Sequence, residues 1–216
     1  MTFDWANQKD AWQGKLKVVG LGQPAGNAPG SEQIESLGVT LQLIDVMGQS
    51  GAVQDRDLPS ECTVSVKSEG DDNAYVLPWK ASSATITSLG GSHEVFVTSQ
   101  LNGCAIFIGG DSGTPTVIHA NAQPEDYTNA GEPESFDQIR EFAVNTRLPR
   151  WDSYYGAVAQ KLATTGHLPT TNAGTLLPGD YMKNGDAAVF GVKDGGSWEF
   201  FVNSGNSTTK FWPAAA

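Results

Sequence analysis

The chain has 216 residues, 39% of them hydrophobic and 17% charged, enough for one domain with a sizeable core and only marginally enough for two. Thirteen Lys and Arg against 24 Asp and Glu give a formal charge of -11, which repels nucleic-acid phosphates and anionic lipid headgroups and so argues against both as partners. Two cysteines are too few for a disulfide-stapled scaffold, and 25 Gly with 11 Pro argue against a fold of long helices.

A single domain over residues 1–216 is therefore expected. No apolar run approaches the roughly 18 residues that span a bilayer. The opening Met1-Thr-Phe-Asp-Trp-Ala-Asn-Gln8 lacks the basic and apolar regions of a secretory signal, so the protein is expected to be soluble as made. Period-two alternation predicts strands at Leu16–Val19, Val39–Ile44, Cys62–Val66 and Tyr75–Trp79. Further short strands are predicted at Ala84–Thr87, Glu94–Val97, Cys104–Ile108 and Pro115–His119, which together suggest an antiparallel sheet or sandwich. A polar loop over 121–132 precedes a predicted helix at Pro133–Phe142, with an early Pro and an acidic first turn. A second helix is predicted at Ser153–Leu162. The chain then returns to strands, Ala187–Val192 and Trp198–Val202, joined at Lys193-Asp-Gly-Gly196 as a hairpin. The expected fold is α+β, a central β-sandwich of mostly antiparallel strands flanked by helices.

The segment 94–120 carries the chemistry. Two strand runs flank Gly109-Gly-Asp-Ser-Gly113, and a turn centred between Asp111 and Ser112 would put Cys104 directly opposite His119. Opposed residues in an antiparallel pair have Cβ atoms about 4.5–5.5 Å apart, so an imidazole could take the thiol proton and leave a nucleophilic thiolate. Gly103 would leave room for a substrate carbonyl beside the Cys104 amide, and with Asn102 it forms the candidate oxyanion loop. Thr98, six residues before Cys104, could orient the imidazole.

Thr98, Leu101-Asn-Gly-Cys104 and a His fifteen residues further on resemble the glutamine-deamidase superfamily that includes the cytotoxic necrotizing factors, the Burkholderia lethal factor and the chemoreceptor deamidases. Asn102 stands where that family usually has Ser. The resemblance implies a bacterial toxin-like enzyme of single-domain size, acting on a glutamine of a host protein through a thioester on Cys104. His119 would serve as base and then acid, and Thr98 as its orienter. It further implies no cofactor, a monomer, production in the bacterial cytoplasm and delivery to host cytosol. The substrates known in the family are Rho-family GTPases and a translation-initiation RNA helicase. Recognition of the target would fall to loops at Gly20–Gly30, Gly48–Asp57 and Asn121–Glu132.

Other readings compete for the same residues. Cys104 could be a buried structural residue of a β-sandwich binding or adhesion module, or be paired with Cys62 in a disulfide. Transglutaminase or protease chemistry through the same dyad is not separable by sequence. Gly110-Asp-Ser-Gly113 copies part of the chymotrypsin-type serine motif, but His93 sits in Ser92-His-Glu94 only 19 residues before Ser112 and lacks that family's context. Gly20-Leu-Gly22 suggests a dinucleotide loop, which Pro24 and Pro29 exclude by preventing the following helix. His93 and His167 have no partner at metal-ligand spacing, so no metal is expected. The six tryptophans read as core packing, with a sugar-binding platform as the alternative.

Overall fold

The computed structural model describes residues 15–19, 32–36, 39–46, 49–58, 61–67, 73–121 and 148–213, and strands dominate among them. The first seven are β1 (Lys15–Val19), β2 (Glu32–Ser36), β3 (Val39–Asp45), β4 (Ser50–Leu58), β5 (Glu61–Lys67), β6 (Ala74–Leu77) and β7 (Ser83–Ser88). They are followed by β8 (Val95–Thr98), β9 (Ala105–Gly109), β10 (Thr116–Asn121), β11 (Gly174–Leu176), β12 (Ala187–Asp194), β13 (Ser197–Ser204) and β14 (Ser207–Trp212). Helix α1 (Leu148–Thr164) contains the predicted Ser153–Leu162 segment and extends it at both ends, and α2 (Pro178–Tyr181) is a single turn. The predicted helix at 133–142 and the loops at 20–30 and 122–132 lie outside the described residues.

The strands form two open sheets, ordered β1-β5-β4-β6-β8-β12-β13-β14 and β11-β9-β10-β7-β3-β2. Pairing is mostly antiparallel, with β1–β5, β3–β7 and β6–β8 parallel. Most strands coincide with the alternating runs of the sequence; β2, β4, β11 and β14 do not. The segment 48–57, expected to be a recognition loop, is largely β4, held between β5 and β6. Its polar Gln54-Asp-Arg-Asp57 stretch is paired residue for residue with β5, so ladder partners override local composition.

Alternation along each strand sorts the core into layers. Between the sheets lie Ile106, Ile108, Val117 and Leu176 from one side and Leu77, Phe96, Val189, Phe200 and Trp212 from the other. On the outer face of the six-stranded sheet, Ala105, Phe107, Ile118 and Ala120 pack against Tyr154, Tyr155, Val158 and Leu162 of α1, which recur at helical spacing. A third cluster, including Leu16, Cys62, Val97, Phe190 and Phe201, fills the other face of the eight-stranded sheet. That sheet curls so that β1 contacts β12 and β13, with the Leu16 amide donating 2.8 Å to Asn203 Oδ1. The result is two packed sheets, sandwich-like, with one long helix on one outer face among the described residues. At about 1.5–3 kcal/mol for each fully buried large apolar side chain, the inter-sheet layer is the main stabilising element that the site must share.

Candidate active site

β9 and β10 form the hairpin expected from the sequence, in a register two residues away from the expected one. His119 lies opposite Ile106, and Val117 opposite Ile108. The turn chemistry explains the shift. Thr114 N–H donates to the Asp111 carbonyl (3.1 Å) and Gly113 N–H to Asp111 Oδ1 (2.7 Å), so the turn is centred between Ser112 and Gly113, one residue later than expected. A two-residue slip preserves the face on which each side chain sits. Cys104, Ile106, His119 and Asn121 therefore still share the inner face of the sheet, but the residue facing Cys104 is Asn121, whose Nδ2 donates to Sγ at 3.2 Å.

His119 is fully buried between the sheets. Its Nδ1 is 2.7 Å from Oγ1 of Thr98, which reaches across from β8 of the opposing sheet. The same hydroxyl is 2.7 Å from the Leu77 carbonyl, which can only accept. The Thr98 proton is thus committed to Leu77, and its oxygen accepts from Nδ1–H. This assigns the tautomer: Nε2 carries the lone pair, and it has no hydrogen-bond partner among the described residues. Burial in this apolar layer pushes the imidazole pKa down from 6.5 to about 3, so the ring is neutral.

Cys104 is 4% exposed, which differs from the open sheet rim expected from the sequence. Burial raises its thiol to about 11, outweighing the Asn102 backbone N–H and the Asn121 side chain, both of which donate to the sulfur and favour the thiolate. In this closed arrangement the thiol is protonated, and no hydrogen bond links it to the imidazole. Both Cys62 and Cys104 are free, which removes the disulfide alternative; they belong to core clusters on opposite faces of the eight-stranded sheet.

The turn before Cys104 is held from several sides. Leu101 exchanges backbone hydrogen bonds with Ala187 (2.7 and 3.0 Å). Gly103 adopts φ +85, which favours glycine. Its N–H, expected to be near an oxyanion, donates instead to the Tyr181 hydroxyl at 3.0 Å, and that hydroxyl donates to the Cys104 carbonyl at 2.8 Å. Tyr155 of α1 donates to the Gly103 carbonyl at 2.8 Å. The space expected to admit a substrate carbonyl at Gly103 is filled by Trp151, whose Cη2 would lie 2.9 Å from a Cβ there. The Asn102 side chain is exposed. Beyond Tyr181 opens a groove of about 340 Å³, lined by Thr175, Leu176, Asp180, Asn184, Ser207 and Phe211 among others.

Thus the fold brings Thr98, His119, Cys104 and Gly103 together, and adds Asn121, Tyr155 and Tyr181, which the sequence reading did not single out. Asn121 carries a signal: two residues beyond His119 on a strand, it must share that face. The tyrosines, 51 and 77 residues from Cys104 in sequence, carry none. The remaining candidates lie elsewhere. Ser112 Oγ is 3.2 Å from Ser197 Oγ, His93 packs edge-on against Tyr75, and exposed His167 pairs with Glu32 at 2.7 Å. Among the described residues no group of three His, Cys, Asp or Glu could hold a metal ion. Compared with protein families and with curated proteins, the sequence matches none.

Proposed function

We propose that this protein is a cysteine-dependent glutamine deamidase, an α+β sandwich enzyme of the necrotizing-factor type, with Cys104 as nucleophile, His119 as base and acid, and Thr98 as orienter. The observation that carries the reading is the 2.7 Å contact from Thr98 Oγ1 to His119 Nδ1. A threonine hydroxyl from the opposing sheet fixes one ring nitrogen as donor and leaves the other as a free base on the face shared with Cys104. A histidine that only fills space in an apolar layer has no need of a fixed tautomer and an empty Nε2.

In the proposed reaction Nε2 takes the thiol proton, Sγ bonds to the carboxamide carbon, and the carbonyl oxygen becomes an oxyanion. The C–N bond then breaks, and ammonia leaves with the proton returned from His119. Water, deprotonated by the same nitrogen, attacks the thioester, releasing glutamate and the thiol. The sulfur must first be uncovered. Tyr181, which lies between the groove and the Cys104 turn, is the side chain whose displacement would do this. A host protein as substrate, and delivery to host cytosol, follow from the family resemblance alone.

A second reading, a binding module with Cys104 as a core residue, draws on the 4% exposure of the sulfur. One experiment separates them. The protein and a Cys104→Ser control are incubated with host-cell extract, and glutamines converted to glutamate are sought by mass spectrometry. Conversion by the wild-type chain alone is expected; conversion by both proteins, or by neither across extracts of several hosts, removes the deamidase reading.

A further inference from the structure

Two buried polar atoms on the inner face of β10 lack hydrogen-bond partners among the described residues, Nε2 of His119 and Oδ1 of Asn121. Asn121 is 7% exposed and His119 fully buried, so water does not satisfy them freely. The two residues are two positions apart on one strand, about 7 Å. Cys104 faces the second of them, within 3.2 Å of its Nδ2. With Nδ1–H committed to Thr98, Nε2 is an acceptor, and Oδ1 of a carboxamide can only accept. The sulfur is therefore flanked by two acceptors, each wanting an N–H.

We propose that Asn121 makes the site selective for unsubstituted carboxamides, its Oδ1 accepting one amide N–H of the substrate while His119 Nε2 accepts the other. This rests on the deamidase reading and names its substrate class. A primary carboxamide brings two N–H donors to a site with two empty acceptors. A peptide bond brings one, and an ester none. The pairing also suits the chemistry, because the N–H that meets His119 belongs to the nitrogen that must receive the proton from the imidazole as the C–N bond breaks. The product carboxylate carries oxygens only; it leaves both acceptors unpaired and faces their lone pairs, so it is released. Protease chemistry on backbone amides is disfavoured by the same count. Leaving a buried acceptor unpaired costs on the order of tenfold in binding, and a site built to accept a hydrogen bond rejects analogues lacking the donor by more.

The test uses alkylation of Cys104, which needs no known substrate. Iodoacetamide carries a primary carboxamide, and its N,N-dimethyl analogue has the same electrophilic carbon and no N–H. Rates at Cys104 are read by site-resolved mass spectrometry on the folded full chain, and the ratio of the two reagents is divided by their ratio on glutathione. The wild-type chain should favour iodoacetamide by about tenfold or more. Asn121→Leu, which removes the acceptor, should bring the corrected ratio to about one, whereas Asn121→Asp, which keeps an acceptor oxygen, should retain a preference. If Asn121→Leu does not fold by circular dichroism, Asn121→Ala replaces it. A corrected ratio near one in the wild type, a ratio unchanged without the Asn121 side chain, or no reaction of native Cys104 with either reagent overturns the proposal. The glutamine-conversion assay is scored separately. A selective ratio without conversion sinks the deamidase reading and leaves a carboxamide-binding site, and conversion without selectivity does the reverse.

Discussion

The buried imidazole of His119 makes a measurable demand on acid stability. Its pKa is held near 3 in the folded chain by desolvation, against 6.5 when exposed. As pH falls below 6.5, the unfolded chain takes up a proton that the folded chain refuses until about pH 3, so stability present above pH 6.5 is lost through that window. At about 1.36 kcal/mol per pH unit the whole interval is worth about 5 kcal/mol, and by pH 5 about 2 kcal/mol should be gone. No charged side chain among the described residues hydrogen-bonds to the ring; its neighbours across the ladder are Ile106 and Thr85, and its partner is Thr98. Urea unfolding followed by circular dichroism at pH 7.5, 6.5, 5.5 and 5 would be compared for the wild type and His119→Gln, in which the titrating group is gone and other groups cancel in the difference. The wild type should lose about 2 kcal/mol more than the variant between pH 7.5 and 5. A difference below about 0.5 kcal/mol would show that the ring is hydrated or charged in the native state, and the tautomer argument would fail with it.

Thr98→Val strands the His119 Nδ1–H and the Leu77 carbonyl, and should cost about 1–3 kcal/mol in urea unfolding, with Thr98→Ser restoring most of it. If the deamidase reading holds, turnover by Thr98→Val should fall by more than the loss of folded protein accounts for. Tyr181→Phe removes the hydroxyl that bridges the Gly103 N–H and the Cys104 carbonyl; alkylation of Cys104 by iodoacetamide should accelerate about tenfold with the fold retained, and an unchanged rate would exclude Tyr181 as the cover. Gly103→Ala meets both a φ of +85 and the Trp151 ring, so it should destabilise the chain by about 1–3 kcal/mol and alter tryptophan fluorescence.

What the sequence by itself determined was local. Period-two alternation located β9 and β10, and with them the fact that Cys104 and His119 share a face, because any even slip of register leaves that relation intact. The apolar stripe of α1 was equally readable, since Tyr154, Tyr155, Val158 and Leu162 fall on one side of a helix from their spacing alone. Which residue stands opposite Cys104 was not local in the same sense. It turned on whether Asp111 would close the turn over Ser112 and Gly113, a choice made by two hydrogen bonds from one side chain and one carbonyl. Only the packing of one sheet on the other decided the rest. Thr98 meets His119 from a different sheet, Tyr155 and Tyr181 meet the Gly103–Cys104 turn from distant helices, and the depth at which Cys104 lies follows from Trp151 closing over Gly103. Pattern along a chain specifies which way a side chain points, because that is a property of backbone geometry. Burial, and with it every pKa in the site, depends on what the far segments bring to cover it.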